Sequence, residues 1–297
     1  MQRLLIIGCG DVARRALPRL TQRYRVYALV RATDSTLAAE LTKYGVVQIR
    51  GDLDRPASLR RLAGLADLVL HLAPPPERGE QDTRTRHLIA ALRRGGNPPR
   101  RVIYISTSGI YGDCGGALVS EVRRANPRTA RARRRVDAEA QLRRWGSSAG
   151  GPRVSILRAP GIYAAERLPV ERIRRGDPVL RGADDVFTNH IHADDLACCA
   201  LAALRRGGAN RAYHASDDSV LRMADWFDAV ADAFALPRPR RVSRAEAATL
   251  LAPLVLSFMG ESRRLDNTRI KRELKMRFAY PDVIAGLAQI VSARKES

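Results

Sequence analysis

The stretch RLLIIGCGDVA, Arg3 to Ala13, constrains the chain more than any other. Four consecutive apolar residues, Leu4 to Ile7, predict a strand buried on both faces. The next six, Gly8-Cys9-Gly10-Asp11-Val12-Ala13, fit the pattern G-x-G-x-x-A that opens a helix directly after a strand. Gly8 permits the tight turn, and Gly10 lets the backbone approach a pyrophosphate. Ala13 is small enough for the helix to lie close to the strand. The helix start at Asp11 and Val12 offers backbone N–H donors and a partial positive charge. The bland alternative is a strand-to-helix turn with no ligand. Placement at the end of an apolar strand and the start of a helix favours a dinucleotide.

The rest of the chain repeats that alternation. YRVYALVR, VVQIRGDL, ADLVLHLAPPP, RVIYISTS and RVSILRAPGIY read as five further strands separated by helical periods. Strands that are apolar throughout predict a parallel sheet covered on both faces. The expected fold class is α/β, a Rossmann-type doubly wound parallel sheet with ligands at the carboxyl ends of its strands. After Tyr163 the alternation breaks, and the last eighty or so residues read as mostly helical. The expected division is a nucleotide-binding domain of residues 1–158 and 189–214, with a smaller substrate-binding part of 159–188 and 215–297.

Composition excludes some alternatives. The 297 residues are 45% hydrophobic, enough for a substantial core. No apolar run approaches the roughly 20 residues of a membrane span, and no secretory leader is visible. Cys9, Cys114, Cys198 and Cys199 form no metal or disulfide spacing, which fits reduced thiols and a cytoplasmic location. The 52 basic residues against 31 acidic ones give a formal charge of +21. The arginines are spread along the chain without interleaved aromatics, so compositional bias explains them better than nucleic-acid binding.

The second strand ends at Val30-Arg31. A carboxylate there would bind the ribose 2′-hydroxyl of NAD, whereas an arginine fork suits a 2′-phosphate. Asp34 comes three residues too late for the ribose role. NADP is therefore expected over NAD.

Taken in order, these segments resemble the extended and atypical short-chain dehydrogenase/reductase superfamily, the NAD(P)-dependent epimerase/dehydratase group. The resemblance rests on LLIIGCGDVARRAL, GDL at Gly51-Asp52-Leu53, HLAPP, VIYISTSGIYGD, ILRAPGIYA, HIHADDLA and RRLDNTRIKRELKMRFAYP. It implies that Asp52, with Leu53, meets adenine and that Ala73 and Pro74 lie along the cofactor. It places Thr107 in the role of the hydroxyl that holds the substrate oxygen. The family's Tyr-x-x-x-Lys pair is another matter. Aligning RVDAE on the usual Lys-x-x-Ala-Glu puts Arg135 at the lysine and Arg131 at the tyrosine. A guanidinium with a pKa above about 12 exchanges no proton at neutral pH. Arg135 is left to hold ribose hydroxyls or phosphate, and Arg131 to clamp an anionic substrate. What the resemblance implies is an oxidoreductase or epimerase/dehydratase acting on a small carbonyl or sugar-like substrate with an altered active site. A non-catalytic NADP(H) sensor is the alternative, and a homodimer is compatible with either.

Other proton carriers are few. Tyr111 and Tyr163 follow strands and face the expected cleft, so Tyr111 joins the catalytic candidates, with packing as its alternative. His190 and His192 flank Ile191 on opposite faces of a strand, and bracing is expected of them, with Asp194 as the helix cap. His71 reads as a satisfied core residue. Arg263, Arg264 and Asn267 fall where the family often contacts a substrate's polar head. LLAPLVLSFMG could line a pocket or pack as a core or dimer helix, with core the preferred reading. No His/Asp/Glu constellation suggests a metal, and no G-x-S-x-G elbow suggests a hydrolase.

Overall fold

The computed structural model describes residues 1–31 and 35–295. Asp34, weighed above as a ribose ligand, lies outside the described residues. Seven strands form one sheet: β1 (Arg3–Ile7), β2 (Arg25–Val30), β3 (Val47–Arg50), β4 (Leu68–His71), β5 (Arg101–Thr107), β6 (Arg153–Ala159) and β7 (Arg211–His214). Their order is β7-β6-β5-β4-β1-β2-β3, parallel throughout. The order reverses between β1 and β4, the switch point where an open parallel sheet leaves a crevice at its carboxyl edge.

Alternation along β1 builds both layers. Leu4 and Ile6 pack with helices α1 (Asp11–Thr21) and α5 (Ala193–Arg206). Leu5 and Ile7 pack with α3 (Thr83–Arg93) and α4 (Ala130–Gly146). Helix α2 (Ser35–Lys43) follows β2, and a 3-10 turn (Pro56–Leu62) follows β3. A separate cluster joins Tyr163, Trp226 and Phe227 to Val283 and Leu287 of the last helix. It holds together α6 (Met223–Ala233) and α8 (Val283–Lys295). Helix α7 (Thr268–Leu274) lies between them in sequence. Ile270, Leu274 and Met276, grouped above with the smaller part, pack instead beneath the sheet with α5.

Two strand expectations need correction. RVSILRAPGIY is not one strand: β6 stops at Ala159, and Pro160 has no N–H to continue a ladder. Gly161–Tyr163 then pairs with His190–His192 in a small two-stranded sheet of its own. The seventh sheet strand is RAYH, whose arginine and histidine hid it from a search for apolar runs.

Several arginines do local structural work. Arg101 donates to the carbonyl of Ala203, Arg143 to that of Asn210 and Arg206 to that of Leu274. Ala203 and Leu274 lie in the last turns of α5 and α7, where a cation meets the negative end of the helix dipole, and Asn210 lies just before β7. Among the described residues, no helix is long and apolar enough to cross a membrane.

Candidate functional site

A first cavity of about 510 Å³ opens at the carboxyl ends of β1 to β4. Gly8, Gly10, Arg31, Asp52, Leu53, Ala73 and Pro74 all line it, with Cys9 and Arg84. The two glycines do different things. Gly8 has φ +92°, and a Cβ there would lie 2.4 Å from the backbone N of Ala73. The turn closes across the switch point only without a side chain. Gly10 has ordinary φ, and nothing lies within 4 Å of where its Cβ would be. The room above Gly10 is thus open, and α1 begins there without any side-chain cap on its N–H groups. Uncapped donors facing open space suit a pyrophosphate. Asp11, Val12 and Ala13 stay out of this cavity. Asp11 accepts from Arg15 at 2.7 Å and lies 3.2 Å from Arg167, while Ala13 is buried against the sheet. Arg84 carries no local sequence signal of its place in this wall. It grips Asp54 at 2.9 and 2.6 Å and the carbonyls of Pro74 and Pro75, tying together two walls of the cavity.

A second cavity, about 480 Å³, opens at the ends of β5 and β6 against the C-terminal part. Thr107 and Arg131 line it. The Thr107 hydroxyl oxygen accepts the Gly109 N–H at 3.1 Å, leaving its hydrogen to donate. Thr129, also in the wall, caps α4 by accepting from Ala132 N–H at 3.1 Å, which sets where Arg131 begins the helix. Arg172 and Arg263 join from the other side. Arg172 lies over the Phe227 ring at 4.5 Å, donates to Pro178 O at 3.2 Å and has its Nε 3.7 Å from an Asp177 carboxylate oxygen. Arg263 donates to Gly112 O and to Glu261, both at 2.9 Å. Trp226 and Phe227 line the cavity with them. Three guanidiniums line the wall, Arg263 paired with Glu261 and Arg172 near Asp177, and together they suit an anion.

The two helical arginines part company. Arg131 is exposed into the cavity, but Arg135 lies outside both cavities. Its Nη1 donates to Tyr104 Oη at 3.0 Å and to Ile105 O at 2.8 Å, so it fastens α4 to β5 rather than reaching toward a ribose. Tyr111 also lies outside both cavities. It is 1% exposed, its hydroxyl lies 2.6 Å from His214 Nε2 and accepts from Arg158 at 2.6 Å, and burial pushes its pKa up to about 12. Arg158 in turn pairs with Glu139 at 2.7 and 3.1 Å. Tyr111 is therefore part of a sealed network and reaches no ligand. Tyr163 is likewise buried, against Trp226, His190 and His192.

The remaining expectations resolve locally. His71 bonds Thr85 at 2.9 Å inside the core. The cap of α5 is His192, whose Nδ1 accepts the Asp194 N–H, not Asp194 itself. Asn267 begins α7 but turns its amide to Ser216, Asp217 and Asp218. Arg264 donates to Gly116 O. In LLAPLVLSFMG, Leu251 and Met259 are core, but Ser257 lines the second cavity. His190, read above as a brace, lines it too. Among the described residues, no group of three or more His, Cys, Asp or Glu could hold a metal.

Sheet order, glycine turn and uncapped helix define a Rossmann-type dinucleotide-binding protein. A family model for the NAD dependent epimerase/dehydratase family matches residues 4–216, and the chain belongs to that family. Its cofactor class is accordingly a nicotinamide dinucleotide. No curated protein matches. Among solved structures, a conserved protein of unknown function from Silicibacter pomeroyi is 26% identical, with a TM-score of 0.82 over 99% of both chains. A dTDP-glucose 4,6-dehydratase from Streptomyces venezuelae with NAD bound is 20% identical, TM-score 0.76, over 99% of this chain and 97% of that one. A UDP-glucuronic acid 4-epimerase from Bacillus cereus in complex with NAD is 17% identical, TM-score 0.75, over 99% of both. The last two show likeness of fold.

Proposed function

We propose that the chain binds NADP(H) in the first cavity and a small, anionic, carbonyl or sugar-like substrate in the second, as an epimerase/dehydratase-type oxidoreductase with an altered active site. The observation that carries this reading is the meeting of Thr107 with Arg131, Arg172 and Arg263 around one cavity beside the cofactor cleft. Gly8, Gly10 and the start of α1 would hold the pyrophosphate, with Asp52 and Leu53 beside the adenine. Arg31, exposed at the mouth of the first cavity, would pair with the 2′-phosphate. When bound, the nicotinamide supplies hydride chemistry. The protein's own part is to place the substrate: Thr107 donates to its oxygen, and the three guanidiniums hold its negative charge and stabilise any that develops.

A second reading, a cofactor-binding sensor without turnover, draws on a specific observation. Arginines stand where the resemblance expects the tyrosine and lysine, and the Tyr111 hydroxyl is sealed away. Calorimetry tests the cofactor assignment. NADPH should bind about tenfold tighter than NADH, and Arg31→Asp should abolish that preference. Equal affinities in the unmutated protein would remove the NADP assignment. Slow turnover of simple aldehydes and ketones beside normal cofactor binding is expected of both readings.

A further inference from the structure

The chain has five histidines, and four of them make a hydrogen bond through at least one ring nitrogen, although His71 Nδ1 is buried without a partner. His71 bonds Thr85, His87 bonds Leu53 O, His192 accepts from Asp194, and His214 bridges Tyr111 and Asp266 O. Among the described residues His190 is the one histidine without a side-chain hydrogen bond. It is also the one that lines the second cavity. Its residue is 4% exposed and its Nδ1 is buried with no partner. Only rings hold it: Trp226 at 4.4 Å between centroids, tilted by 34°, and Tyr163 edge-on at 6.3 Å. A buried polar group held by apolar neighbours alone costs stability, and such groups in native structures call for an explanation.

The neighbouring backbone supplies one. Gly161, opposite His190 in the small sheet, also lines the cavity. Its φ is not in the left-handed region, so its lack of a side chain concerns space. A Cβ there would lie 3.3 Å from His190 Cδ2 and 3.8 Å from Nε2. Glycine therefore leaves the Nε2 edge of the ring uncovered on the cavity side, while Nδ1 is walled off.

We propose that His190 contacts the substrate, as a neutral imidazole whose Nε2 edge hydrogen-bonds a hydroxyl or carbonyl oxygen of an anionic ligand in the second cavity. This rests on reading that cavity as the substrate site. Neutrality follows from the burial of the ring. Arg131, Arg172 and Arg263 share the wall, and Glu261 there is already paired with Arg263. From behind, Asp217 donates its backbone N–H to His190 O. Burial lowers the ring's pKa to about 3. His190 is thus a hydrogen-bonding group rather than a proton store, placed among arginines that take the charge.

The test uses the full chain with saturating NADP+ and two probes, D-glucuronate and glucose 1-phosphate, followed by calorimetry. His190→Phe keeps a ring against Trp226 and removes the unpaired nitrogen. We expect it to hold or raise Tm and leave NADP+ affinity unchanged, while weakening the probe that binds by about tenfold or more. Gly161→Ala, which keeps the imidazole but crowds its Nε2 edge, should weaken the probe in the same direction. In ¹⁵N spectra the His190 ring nitrogens should stay neutral from pH 5 to 8 and shift when the probe is added. Unchanged probe affinity in His190→Phe, or a lower Tm with affinity intact, would mark a structural histidine and overturn this inference alone. Failure of both probes to bind the unmutated protein would overturn the substrate-cavity reading and this inference together.

Discussion

The two cavities are built from different materials. The first is made mostly of backbone: two glycines, an uncapped helix start and the ends of four consecutive strands, all within the first 84 residues of the chain. The second is made of side chains drawn from β5, α4, the short segments after β6, α6 and the stretch near residue 260. A backbone-built site tolerates change in what its residues are but not in the shape of the main chain. A site built from side chains reverses that. Here the contrast coincides with what this chain keeps and what it changes relative to the family pattern it resembles. The glycine turn is intact, whereas the positions that the resemblance assigns to a catalytic tyrosine and lysine hold Arg131 and Arg135.

The sharpest way to break the comparison lies within the glycine turn. Gly8→Ala must place a Cβ 2.4 Å from the Ala73 nitrogen at a φ of +92°. Strain and clash together should cost about 4 kcal/mol of stability, read by denaturant unfolding. Gly10→Ala meets nothing within 4 Å. It should cost about 1 kcal/mol or less as a helix cap, yet lower dinucleotide affinity at least tenfold by filling the approach to the pyrophosphate. Equal stability losses in the two variants would show that the open space at Gly10 is not reserved for a ligand.

How much of each region the sequence disclosed follows from the same contrast. All of Gly8, Gly10, Arg31, Asp52, Leu53, Ala73 and Pro74 line the first cavity because strand ends and tight turns leave local, short-range signatures. Thr107 and Arg131 were legible for a similar reason, lying directly after a strand and at a helix start. Arg172, Trp226, Glu261 and His190 were not, because they meet only through the folding of segments far apart in the chain. Their one local sign was negative, a breakdown of regular alternation after Tyr163. Arg135 was placed at the site by alignment, and Tyr111 by its position just after a strand. Either says where a Cα falls and not which way a long side chain turns once Ile105 O or Arg158 is within its reach.

A smaller effect separates the regions by pH. Asp217, 4% exposed, supports the strand of the second cavity through its backbone and keeps Oδ2 unpaired. Burial, with Asp218 and Asp282 adding repulsion, raises its pKa from about 3.8 to about 7. A raised carboxyl pKa means the fold binds the proton more tightly than the unfolded chain does. The penalty is absent below the unfolded value, grows as pH rises toward 7, and is fully present above it. Asp217→Asn, which keeps the acceptor for Ser219 N–H, should therefore stabilise by a few kcal/mol at pH 8 and by little at pH 4. In the first cavity the Cys9 thiol is pushed up to about 12 and does not titrate in that window. A stability difference that did not vary with pH would disconnect Asp217 from the region's pH response.

The finest division runs through a single helix turn. Arg131 and Arg135 are one turn apart on α4, and sequence alone treated them as a pair. The structure turns one into the second cavity and the other onto β5. Arg135→Met would strip a donor from Tyr104 Oη, which is fully buried, and from Ile105 O. Leaving those two acceptors unpaired should cost about 1–3 kcal/mol, with no direct effect on a ligand. Arg131→Met removes an exposed cation and should change stability by no more than about 0.5 kcal/mol. It should leave NADP+ affinity within a factor of about two, because no backbone of the first cavity moves. Its effect should appear only in the binding of an anionic probe such as D-glucuronate, weakened by about tenfold on loss of one charge-assisted hydrogen bond. Calorimetry with both ligands on both variants makes the division measurable. If Arg131→Met lowered NADP+ affinity as much as probe affinity, the two cavities would share that guanidinium, and the contrast between a backbone-built and a side-chain-built site would end at α4.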